Sequence, residues 1–150
     1  MTILRIPPSE RSPLLCRFED GDIDPASFDH RAHLEVAFAY LEELPVIQAL
    51  ERVAAGLRAL TERVGQPDRY HETLTAALVL IMAERRQRVP ASSFDDFCRH
   101  NPDLLSDARG LLLQHYGEEQ LASPLARRQF VLPAPAPSAR RPGTARHRSR

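Results

Sequence analysis

Across residues 46–64 the apolar side chains Val46, Ile47, Leu50, Val53, Ala54, Leu57, Leu60 and Val64 recur at spacings of three and four, with no proline between them. That period lines one face of an α-helix, and on a strand it would scatter the apolar set over both faces. A helix here must bury its stripe against other helices. Gly65, Gln66 and Pro67 then end it in the expected order, glycine before proline. This stripe carries no polar group and reads as purely structural.

The neighbouring segments show the same period. Residues 28–41 read FDHRAHLEVAFAYL and end ahead of Pro45, whose ring disfavours helix at the residue before it. Asp24 with Pro25, or Ser27, supplies its start signal. Residues 68–88 contain LTAALVLIMA, apolar almost all round, as suits a central helix contacted on several sides. Ser92 or Ser93 can open a short helix carrying Phe94, Phe97 and Cys98. Asn101 and Pro102 can open another, with Leu104, Ala108, Leu111, Leu112 and His115 on one face and Gly117 as its stop. A last turn starts at Ser123–Pro124, and Phe130, Val131 and Leu132 should be the final anchored residues. The expected fold is all-α, a single bundle of about five helices with no sheet.

Residues 1–18 hold Pro7, Pro8 and Pro13 with little periodicity and are expected as an irregular arm laying Leu14, Leu15 and Phe18 on the body. Residues 19–132 form the bundle. The acidic run at 19–24 is read as a solvated turn, because Pro25 and Phe28 interrupt the alternate oxygen ligands that a calcium loop needs. From Pro133 to Arg150 the composition cannot bury a core, so disorder is expected there. Five arginines and no acid lie in that tail, which leaves the body with 15 Arg against 20 Asp and Glu although the whole chain is formally neutral. The tail has no aromatic side chain to stack on a base, so nucleic acid is expected at most as a weak, salt-sensitive and sequence-independent partner.

With 43% hydrophobic and 27% charged residues, the chain is ordinary for a soluble globular domain. No basic-then-apolar leader and no apolar run of about 18 residues occurs. Neither export nor a membrane span is expected. Cys16 and Cys98 stand in no disulfide-like or metal-like spacing, which fits a reducing, cytoplasmic setting.

The polar residues inside the apolar stripes carry the functional expectation. With His30 as zero and about 100° per residue, Leu34, Ala37, Leu41 and Leu44 lie within roughly 40°, and His33 lies about 60° to one side. His71 holds the same mid-stripe place in the 68–88 helix. Buried polar groups need partners, since an unsatisfied one costs about 1–3 kcal/mol. A shared ion would satisfy His30, His33 and His71 together, and three imidazoles favour zinc or ferrous iron over magnesium or calcium. Glu72 could then orient a ligand, bind the ion, or act as general base on a bound water. Tyr70 could share in proton transfer and Thr75 in holding a small molecule. Arg127 could clamp an anionic ligand, or pair with the acidic body. HExxH is absent, because Thr75 holds the second histidine position. His115 near a helix end and Cys98 in a core position have simpler structural readings.

FxHxxHLxxA at residues 28–37, YHETxT at 70–75 and SxxARxxFVxP at 123–133 resemble the motifs of a group of small, uncharacterised bacterial helical proteins. The resemblance implies that His30, His33, the tract Tyr70, His71, Glu72 and Thr73, and Arg127 belong to one recurring pattern; it implies no substrate. Three classes of function follow. The protein is a metal-dependent or acid–base enzyme with a His30, His33 and His71 pocket, a non-catalytic small-ligand module, or a structural bundle whose histidines are simply hydrogen-bonded.

Overall fold

The computed structural model describes residues 11–134 and is all-α. Nine helices follow in chain order among the described residues: α1 Pro13–Asp20, α2 His30–Glu43, α3 Val46–Arg63, α4 Glu72–Arg88, α5 Phe94–His100, α6 Pro102–Ser106, α7 Ala108–Leu113, α8 Glu118–Ala122 and α9 Pro124–Arg128. A 3-10 turn at Pro67–Arg69 precedes α4. The disordered tail expected for residues 133–150, like the first ten residues of the arm, lies outside the described residues except at Pro133 and Ala134.

The three long helices stand where the periodicity puts them, and their ends follow local chemistry. The Asp29 carboxylate caps α2 by accepting the Ala32 N–H at 2.9 Å, so the helix starts later than Asp24 or Ser27 would have set it. Pro45 closes α2 and opens α3. Gly65, at φ +70°, turns the chain out of α3, a left-handed conformation that side chains resist.

Four expectations are corrected. Within the supposedly irregular arm, Pro13 and the Ser12 cap start a true helix, α1, which lays the buried side chains of Leu15 and Phe18 on the body. The helix expected from Asp68 starts only at Glu72, because Tyr70 and His71 are extended and the His71 side chain serves as the cap. The single helix expected after Pro102 is broken at Asp107, whose carboxylate turns back to cap α7 through the Gly110 N–H; His115 is consequently exposed. Of the three expected anchors, Phe130 and Leu132 are 40% and 74% exposed, while Val131 packs against Ala77, Leu112, Tyr116 and Leu121 as a group, and backbone groups add to the anchoring. Thr73 donates its hydroxyl to the Gln129 carbonyl at 3.0 Å and accepts the Val131 N–H at 3.2 Å, while Tyr116 donates to the Val131 carbonyl at 2.8 Å.

α4 is the central element. It packs on α2, α3, α7 and α9, and its buried residues are mostly small: Thr73, Ala76, Ala77, Val79 and Ala83, with Met82 filling the middle. Small side chains let the neighbouring helices approach closely on several sides. One core, around Val36, Phe38, Val53, Met82, Phe97 and Leu104, joins α2 to α3, α4, α5 and α6. A smaller cluster of Ala77, Leu112, Tyr116 and Leu121 seats the C-terminal turns on the far face of α4. Arg85 ties the end of α4 to α6 by a bidentate pair with Asp103 at 2.6 and 2.7 Å.

Candidate functional site

Between α2, α3 and α4 lies a cavity of about 220 Å³. Its walls are apolar, with Leu34 and Ala37 from α2, Val53 and Leu57 from α3, and Leu78 and Met82 from α4. Into this lining come His30, His33, Tyr70, His71 and Thr75, with Thr61 and Arg69 also on the wall. The three histidines singled out in the sequence therefore do share one cavity, but not as equals.

His30 is exposed instead of buried at mid-stripe, because it is the first residue of α2 and no earlier turn covers it. Its Nε2 lies 2.7 Å from the Leu104 carbonyl. A carbonyl only accepts, so Nε2 carries a proton, and Nδ1 is the nitrogen that this bond leaves open. His33 is pinned the other way round, its Nδ1–H donating to the Asp29 carbonyl at 2.7 Å, which leaves the lone pair on Nε2. Its ring packs on Phe28 with centroids 4.4 Å apart. Burial lowers the His33 pKa and the neighbouring His30 adds to the effect, while the hydrogen bond to Asp29 opposes it. His33 is thus a neutral imidazole with a free acceptor at neutral pH.

His71 is the buried one, 7% exposed, and both of its nitrogens are engaged. Nδ1 accepts the Leu74 N–H at 3.1 Å and caps α4, and Nε2–H donates to the Leu121 carbonyl at 2.7 Å. A metal ligand needs an unshared lone pair, and this ring has none to give while these bonds stand. Among the described residues no three His, Cys, Asp or Glu side chains are grouped as a metal site requires.

Glu72 stands off the cavity wall. Its Oε2 accepts the Tyr70 hydroxyl at 2.7 Å and pairs with Arg58, whose guanidinium also lies over the Tyr70 ring, 5.0 Å from the centroid. Burial raises the Tyr70 pKa, and the bond to Glu72 and that residue's charge raise it further. Tyr70 is therefore a protonated donor at neutral pH, and Glu72 holds it instead of facing a water in the cavity. Thr75 does reach the wall. Arg127 does not: its Nη1 donates to the Asp68 carbonyl at 2.7 Å, with no carboxylate partner among the described residues.

The α3 helix, read from its stripe as purely structural, supplies part of this site through Thr61 and Arg58. These residues sit beside the stripe, and only the pairing of α3 with α4 brings Arg58 to Glu72. Cys98 is buried and its thiol pKa is raised by burial, which makes it a core residue and a poor nucleophile.

The chain matches no protein-family model, no curated protein and no solved structure. Among the described residues no helix is long and apolar enough to cross a membrane.

Proposed function

We propose that this protein binds a small molecule in the cavity between α2, α3 and α4, with the imidazoles of His30 and His33 as hydrogen-bond acceptors and acid–base groups. The observation that carries the proposal is the contrast between an apolar lining and the two imidazoles on it, each held by one N–H and left with one acceptor nitrogen. A cavity of about 220 Å³ suits a molecule no larger than a substituted ring. His71 and Glu72 take supporting roles, the first as a helix cap and the second as the holder of Tyr70. The motif resemblance joins the same residues in one pattern. The free cysteines Cys16 and Cys98 suit a cytoplasmic setting.

Nitrogen NMR of the histidine rings tests this directly. Benzyl alcohol, phenol and cyclohexanol should each shift the free nitrogens of His30 and His33 and leave those of His71 in place. If none of the three moves either ring, the proposal fails. Ala37→Trp, which fills the cavity, should abolish the shifts with the fold retained.

A second reading keeps zinc or ferrous iron on His30 and His33. Its support is that each ring donates its other N–H to a backbone carbonyl, the arrangement that orients metal-bound imidazoles. The remaining ligands would then come from water or the bound molecule. Elemental analysis of purified protein, with His30→Ala as control, decides it; metal retained at full stoichiometry in that variant would exclude this pair.

A further inference from the structure

A second, smaller cavity of about 190 Å³ shares Tyr70 with the first, the residue lining both. Its wall is formed by Arg58, Pro67, Asp68, Tyr70, Arg127 and Arg128. Three guanidiniums face one carboxylate there, in a body whose arginines are outnumbered by acids, 15 to 20. Arg58 is committed to Glu72. Arg128 makes no ion pair among the described residues, and Arg127 gives only one N–H, to a backbone carbonyl. A guanidinium has five donors, so most of the fork of Arg127 and all of that of Arg128 remain for a ligand.

We propose that the molecule bound in the histidine cavity carries an oxyanion, carboxylate or phosphate, which passes Tyr70 and is held by Arg127 and Arg128. This rests on the small-molecule reading above and names the ligand class it takes. An apolar body would lie among Leu57, Leu78 and Met82, while the charged head would meet planar, bidentate donors outside. The excess of guanidiniums over carboxylates on this wall also selects among ligands, because it attracts anions to this end of the cavity.

The test compares benzyl alcohol, benzoate, phenyl phosphate and inorganic phosphate on the full chain, read by histidine and arginine side-chain NMR. Benzoate or phenyl phosphate should bind about tenfold or more tighter than benzyl alcohol and shift His30, His33 and the arginine Nε–H signals together. Arg127→Gln with Arg128→Gln should remove that preference and leave benzyl alcohol binding unchanged. Arg128→Gln alone, which breaks no bond among the described residues, should remove part of it and guards against a folding defect. Equal binding of the alcohol and both anions overturns the oxyanion head while the cavity reading stands. Anions, or inorganic phosphate alone, that shift only the arginines in every case overturn the continuity of the two pockets. If no ring-bearing probe shifts the histidines, both proposals fall.

Discussion

The Nε2–H of His71 reaches 2.7 Å to the carbonyl of Leu121, fifty residues further along the chain, while the other nitrogen of the same ring caps the helix that follows it. One imidazole thus starts α4 and fastens α8 to it. Replacing His71 by alanine leaves the Leu74 N–H and the Leu121 carbonyl without partners and should cost about 1–3 kcal/mol in denaturant unfolding. His71→Asn, a good cap too short to reach Leu121, should recover part of the loss. The effect should be the same with and without added zinc; destabilisation seen only in metal-loaded samples would restore His71 as a ligand.

His33 predicts a pH dependence of stability. Its folded pKa lies below the ordinary 6.5, so between the two values the unfolded chain binds more protons than the folded one. Its contribution is complete above about pH 6.5 and is lost as the pH falls through the folded value. His33→Asn keeps a donor for the Asp29 carbonyl but does not titrate. Wild-type stability should therefore drop more steeply than that of the variant from about pH 7 to about pH 5. Glu42, whose pKa is raised by burial, pulls the other way in both proteins and cancels in the comparison. Parallel curves would mean that His33 is not desolvated.

Gly56 should reverse the usual effect of adding a methyl group to a helix. Alanine in a helix interior normally stabilises over glycine by about 0.5–1 kcal/mol. A Cβ on Gly56, however, would stand 2.2 Å from the Phe18 ring, which is stacked on Phe28 at 5.6 Å and set edge-on to Tyr40 at 6.4 Å. A cavity of about 290 Å³ borders the ring, but moving into it would give up the packing on Phe28 and Tyr40. Gly56→Ala should destabilise by about 1–3 kcal/mol, measured by thermal or denaturant unfolding. A gain in stability would show that α1 separates readily from α3.

The C-terminal boundary of the fold can be located by truncation. A chain ended at Ala134 retains the bonds from Thr73 and Tyr116 to Gln129 and Val131, and that from Gln120 to the Leu132 carbonyl at 2.9 Å. A chain ended at Arg128 loses all of them and leaves the fully buried Thr73 hydroxyl unpaired. The chain ended at Ala134 should match the full chain in unfolding midpoint. The chain ended at Arg128 should lose on the order of 2 kcal/mol or more. Equal stability of the two would place the boundary before Gln129.

Periodicity determined the three long helices, and proline with glycine determined where α2 ends and where α3 begins and ends, because these signals are local and act within one or two turns. They also marked His30, His33, His71, Tyr70 and Thr75 as residues of one pocket, since polar groups on apolar faces are drawn to the same interior. The roles within that pocket were decided elsewhere. A stripe on a helical wheel assumes that the helix already extends past the residue in question, and neither His30, its first residue, nor His71, which caps it, meets that condition. Each ring's proton is set by a carbonyl: Asp29 four residues before His33, Leu104 seventy-four residues after His30, and Leu121 on α8. Arg58 reaches Glu72 only because α3 and α4 pack side by side, and Arg127 reaches the turn before α4 only because α9 folds back on it. A side chain's neighbours across a helix interface follow from the packing of whole elements, and that packing engages both nitrogens of His71 while His30 and His33 each use one.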